Sequence, residues 1–137
     1  MATESQGEHS FPIETLVSGE KIQGFTAGED LTVGEPVDLT GDFEVSASEA
    51  GGDSFRGVVL YDVASGEPVA LAADDCEVRI EVSETVSADD ELVPDGVGTF
   101  ETVATSAASN GVAIAQEGGA SGEVVEAYIF NIQGTEA

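Results

Sequence analysis

The stretch Gly57–Ala73, GVVLYDVASGEPVALAA, recurs in altered form as GVAIAQEGGASGEVVEAYIF at Gly111–Phe130. In both copies a Gly-Val opening leads a short apolar strand into a polar loop. An Ala-Ser-Gly-Glu turn follows (Ala64–Glu67, then Ala120–Glu123), and a Val-rich strand leaves it. Glycine adopts the positive φ that tight turns demand, and β-branched residues suit a pleated surface, so each copy predicts a β-hairpin. Upstream, Ala27-Gly28-Glu29-Asp30-Leu31 and Ala88-Asp89-Asp90-Glu91-Leu92 read as a matching pair of acidic turns. The unit is then strand, acidic turn, strand and hairpin, written twice with loops of different length. Two such halves point to one closed sheet or barrel built by duplication, since a solenoid needs at least three repeats.

The rest of the chain fits an all-β, single-domain β-barrel of two similar strand-hairpin units. Leu31, Val33, Val37 and Leu39 alternate, and Phe43, Val45 and Ala47 continue the pattern on one side. In CEVRIEVS, Val78, Ile80 and Val82 point one way and Arg79 and Glu81 the other, with Glu77 and Glu81 placed to flank the arginine. Val125, Ala127 and Ile129 alternate with Val124, Glu126, Tyr128 and Phe130, the last two either closing the barrel or covering an interface. At most one short helix is expected, at Ala104–Asn110. The body runs over residues 21–132, preceded by a flexible N-terminal arm at 1–20 and followed by a frayed tail at 133–137. Phe11, Pro12, Ile13, Leu16 and Val17 give the arm apolar anchors, which can fold back on the barrel or add to a neighbouring subunit as a strand.

Charge narrows the partners. Twenty-eight Asp and Glu face three basic residues, Lys21, Arg56 and Arg79, for a formal net charge of −25. Such self-repulsion opposes compaction in dilute buffer, whereas at about 1 M salt the Debye length is only about 3 Å. This is the surface expected of a protein from brine or a salt-saturated cytoplasm, although an unusually acidic mesophilic domain has the same composition. Nucleic acid and anionic membranes are excluded as partners, because both require a basic patch. No apolar run approaches a membrane span, and MATESQGEHS lacks the regions of a signal peptide, so a soluble product synthesised in the cytoplasm is expected.

No catalytic, cofactor or metal site is predicted. The single histidine, His9, lies in the arm, away from any nucleophile of the body. Glu29-Asp30, Asp74-Asp75 and Asp89-Asp90-Glu91 offer oxygen ligands, but none has the spacing of a calcium loop. Cys76 is expected to be a small buried hydrophobe. The Ala27–Val37 phrase, Ala-Gly-Glu-Asp-Leu-x-x-Gly-Glu-Pro-Val, is similar to the acidic-Gly turns of lipoyl- and biotinyl-carrier barrels, which need an accepting lysine at a hairpin tip; Lys21 lies ahead of the motif.

The order of these segments resembles the small capsid decoration, or cement, proteins of tailed viruses. It comprises the Gly-acidic turn and strand at Ala27–Val37, then Gly57–Leu71, Cys76–Ser83, Ser87–Gly96, and an Ala/Ser-rich segment leading to Gly111-Val112-Ala113. The resemblance implies a compact β-barrel or β-tulip, commonly a homotrimer, often with an extended N-terminal arm. It implies a structural virion protein that binds the major capsid protein on the outer surface of the shell and stabilises it. Strong acidity is not general in that family, and points here to the virus of a halophilic archaeal host. On this reading Phe11, Pro12, Ile13, Leu16 and Val17 are the arm contacts to capsid or neighbouring subunit. The alternative function is a cellular, non-enzymatic β-barrel binding module of a halophile, with cations held in its acidic turns.

Overall fold

The structure is a computed structural model and describes residues 14–106 and 110–132. Its strands are β1 (Leu16–Ser18), β2 (Lys21–Ala27), β3 (Pro36–Gly41), β4 (Glu44–Ala47), β5 (Phe55–Val59), β6 (Pro68–Ala72), β7 (Glu77–Glu81), β8 (Glu91–Pro94), β9 (Phe100–Thr102), β10 (Ala113–Ala115) and β11 (Val124–Ile129). One helical turn, α1 (Val103–Ser106), interrupts them. The fold is all-β and doubled, as the sequence predicts. The doubling, however, does not make one shared barrel. β2-β4-β3-β5-β6 close into a barrel, and β1-β7-β11-β10-β8-β9 form a second, six-stranded sheet.

The two sheets repeat one topology. β2 pairs antiparallel with β6 as β7 does with β11, and β3 pairs with β4 and β5 as β8 does with β9 and β10. The barrel closes through a parallel pairing of β2 with β4. In the second half the corresponding parallel contact shrinks to one bridge, Val82 with Phe100, and β1 adds to β7 instead.

Backbone hydrogen bonds fix which residues correspond. Ala27 N donates to Glu67 O at 2.9 Å and Val82 N to Glu123 O at 3.0 Å; Gly28 N donates to Val45 O at 2.8 Å and Ser83 N to Phe100 O at 2.9 Å. Leu31 exchanges hydrogen bonds with Val63, and Val86 with Gly119. The partner of Leu31 in the second half is therefore Val86, not Leu92, and that of Glu29 is Glu84. Leu92 corresponds to Val37, since Val37 faces Ala47 and Leu92 faces Thr102, and the N–H groups of Ala47 and Thr102 donate to Glu29 and Glu84 respectively. Gly57, which faces Val37, then corresponds to Ala113, which faces Leu92. The Ala-Asp-Asp-Glu-Leu match misleads because acidic turn residues recur wherever a turn is needed, without regard to register. The Ala-Ser-Gly-Glu match is correct: Gly66 and Gly122 both have φ 88°, a left-handed conformation that glycine adopts freely.

One apolar cluster fills the barrel, from Leu31, Val37, Val45, Val59, Val69 and Leu71 among others. The second core takes Val78, Ile80, Leu92, Phe100, Val125 and Ile129 together with Phe55, Val58 and Ala72 of the first half. β5 and β6 are thus covered on both faces, which is why their sequences are nearly continuous apolar runs. Phe55 meets Phe100 edge-on at 6.5 Å between centroids, and Gly51 N donates to Pro94 O at 2.9 Å, so the halves share interior as well as backbone bonds. Cys76 is buried, as expected, with its thiol donating to Glu20 O at 3.4 Å.

Candidate interaction surface

Many of the acids act locally, as caps on turns. Glu29 accepts from Ala47 N at 2.8 Å, and its counterpart Glu84 accepts from Thr102 N at 2.7 Å and Thr105 Oγ1 at 2.8 Å. Glu67 accepts from Ala64 N and Glu123 from Ala120 N, three residues back in each Ala-Ser-Gly-Glu turn. Asp30 accepts from Ser65 N, Asp90 from Ser87 N, and Asp75 from the Tyr128 hydroxyl at 2.6 Å. Among the described residues no group of three or more His, Cys, Asp and Glu is arranged to hold a metal ion.

These hydrogen bonds set the protonation of several groups. The Thr102 amide, joined by the Thr105 hydroxyl, holds the Glu84 carboxyl below its ordinary value. Burial pushes Asp95 up, but donors from Thr99 and Val97 outweigh it and the net shift is down. Burial lifts Asp38, against hydrogen bonds from Ser48 Oγ at 2.6 Å and Glu49 N at 3.2 Å. Burial lifts Glu101 too, aided by the charges of Asp95 and Glu84. Asp75, accepting from Tyr128, raises the pKa of that phenol.

Of the arm residues, Leu16 and Val17 lie in β1, where Leu16 pairs with Val78 and packs on the second core. Thr15, just before them, is buried. Phe11, Pro12 and Ile13 lie outside the described residues. Arg79 fastens this edge: its backbone N–H donates to Thr15 O at 2.8 Å and Nη1 to Glu14 O at 2.7 Å, while Nη2 lies 3.4 Å from Glu126. Glu126 faces Arg79 directly on β11, so the cross-strand neighbour supplies the ion pair in place of Glu77 and Glu81.

Among the described residues the exposed large apolar side chains are Phe43, Tyr61, Val97, Val124 and Phe130. Two of them crown corresponding hairpins. Phe43, 70% exposed, sits in the β3–β4 turn; Val97, 80% exposed, sits in the β8–β9 turn. The second turn leans on the first half: a Cβ on Gly96 would come within 3.2 Å of Ala50 N, and one on Gly98 within 3.3 Å of Glu35. Phe43 instead touches Phe25 of its own barrel, at 5.9 Å and 56° between rings. Alternation assigns Phe43 to the face of Val45, which is fully buried, yet the strand starts only at Glu44 and Phe43 has left the pleat. The preceding Gly41-Asp42 pair is the sequence signal for that turn.

No family model matches the chain. No curated protein matches it either. Among solved structures it is similar to the head fiber gp8.5 N base of bacteriophage phi29, with a TM-score of 0.61 and 17% identity, over 80% of this chain and 94% of that one. The two share a fold. The match extends over most of both chains, so it takes in the doubled architecture and not a single hairpin.

Proposed function

We propose that this chain is a structural virion protein that binds the outer surface of the major capsid shell and stabilises it, as a capsid decoration or cement protein. The observation that carries the reading is the fold shared with a phage head fiber base across nearly the whole of that chain. An all-β body in which many of the acids cap turns supports a binding role without catalysis. The charge of −25 supports attachment to a protein surface facing solvent, away from a nucleic-acid-lined interior, and supports a halophilic, archaeal tailed-virus host. We take the bound form to be a homotrimer, assembled in the host cytoplasm before it joins the shell.

The test uses purified chain and assembled shells of the virus whose genome encodes it, in multimolar KCl. The chain is expected to sediment as a trimer, to co-sediment with shells at saturable stoichiometry, and to raise the temperature at which they disrupt. A monomer that never co-sediments sinks the reading.

A further inference from the structure

Resting on that virion reading, we propose that the β3–β4 hairpin tip is the seat of the chain on a shell protein, with Phe43 inserted into an apolar pocket rimmed by lysine and arginine. Phe43 has φ 52°, in the left-handed region that disfavours bulky side chains. Corresponding register in the second half puts Gly98 there, at φ 93°. One half therefore fills the position with the residue its backbone favours, and the other with a phenylalanine. Packing does not explain the exception, because Phe43 is 70% exposed, with one ring contact to Phe25. Strained backbone that presents a solvent-facing aromatic is a recurrent property of binding sites, and aromatic anchors dominate interface energetics.

The surroundings specify the occupant. Asp42 and Glu44 flank Phe43 in the turn, and the Glu44 carboxylate lies against Gly28 and Gly41, so two acids border the aromatic. A second copy of this chain, with three basic residues against twenty-eight acids, has no complementary rim to offer, and a nucleic acid has the wrong sign. A basic-rimmed pocket on a different protein satisfies both features. In concentrated salt, where the Debye length is about 3 Å, the carboxylates act only on groups in contact. They select the rim, and the buried ring supplies the hold.

The decisive variant is Phe43→Gly, which relieves the backbone and removes the anchor. Its melting temperature should equal or exceed that of the wild type, while its affinity for shells in the co-sedimentation assay falls about tenfold or more. Val97→Gly, at the tip of the corresponding hairpin, should bind as the wild type does. With p-benzoylphenylalanine in place of Phe43, irradiation of decorated particles should cross-link to a shell-protein peptide containing apolar residues flanked by Lys or Arg. Undiminished binding by Phe43→Gly, or cross-linking to another copy of this chain, overturns the tip assignment and leaves the virion reading standing. Failure of the wild type to bind shells removes both.

Discussion

The two halves of this protein share their backbone devices and differ in what they hang on them. The acid that follows β2, Glu29, and its counterpart after β7, Glu84, cap the same ladder position, and the Ala-Ser-Gly-Glu turns close with the same hydrogen bonds. The side chains at corresponding positions diverge: Val45 against Phe100, Gly57 against Ala113, Phe43 against Gly98, and the buried pair Asp38 and Ser48 against Val93 and Val103. A turn needs particular φ values and particular acceptors, so its chemistry is narrow. A core position needs only volume and an apolar surface, and many residues supply those.

The largest effect expected from this comparison is at Phe100. It is fully buried and edge-on to Phe55, whereas Val45 at the matching position fills only the first barrel. Phe100→Ala should cost about 3–5 kcal/mol, well beyond Val45→Ala. Because the second core includes Phe55, Val58 and Ala72, the loss should weaken both halves together. Hydrogen exchange read along β2–β6 and β7–β11 tests this: if Phe100→Ala leaves protection in the first barrel untouched, the halves are independent units that happen to adjoin.

Glu84→Ala comes next, at about 1–2 kcal/mol near neutral pH, because it deprives the Thr102 N–H and the Thr105 hydroxyl of their acceptor. Glu29→Ala should cost less, since Glu29 accepts from Ala47 N at an exposed site. The pH dependence has a definite sign. The folded-state pKa of Glu84 lies below its ordinary value, so its contribution is complete above that ordinary value and disappears as pH falls through the folded one. Urea unfolding of wild type and Glu84→Ala should therefore give stabilities that converge in acid and separate toward neutrality; equal spacing at every pH would show that the carboxylate charge is immaterial there.

Which of this was legible in the sequence follows the same division. Strands with strict alternation, such as Val78-Arg79-Ile80-Glu81-Val82, and the Ala-Ser-Gly-Glu turns were readable because period and turn chemistry are local. The register between halves was not. Gly57 aligns by eye with Gly111, but β-pairing matches it to Ala113, because a repeated Gly-Val dipeptide is too short to fix a two-residue offset. The division into barrel and second sheet was equally hidden, since it depends on whether a parallel pairing closes over two residues, as at Thr26 and Ala27, or over the single bridge at Val82. At the proposed seat, alternation assigns Phe43 to the buried face, and only the preceding Gly41-Asp42 pair marks in the sequence the turn that carries it out to 70% exposure.

The smallest effect is the most specific probe of the comparison. In the first half Asp38, only 8% exposed, accepts from the buried Ser48 hydroxyl at 2.6 Å; the corresponding positions of the second half carry two valines. Ser48→Val alone leaves the carboxylate short of a donor and should destabilise by about 1–2 kcal/mol at neutral pH. Replacing both, Asp38→Val with Ser48→Val, imports the second half's solution and should fall within about 1 kcal/mol of wild type, because swapping both members of a buried polar pair for apolar groups of similar shape is nearly neutral. The double variant should also lose a pH response opposite in sign to that of Glu84. Burial raises the folded-state pKa of Asp38, so its favourable contribution is complete below the ordinary aspartate value and is lost as pH rises through the higher folded one. Thermal unfolding across that acid range decides the matter. If the double variant is as costly as Ser48→Val, the Glu49 N–H that also donates to Asp38 is the indispensable partner, and the two halves are not interchangeable at this site.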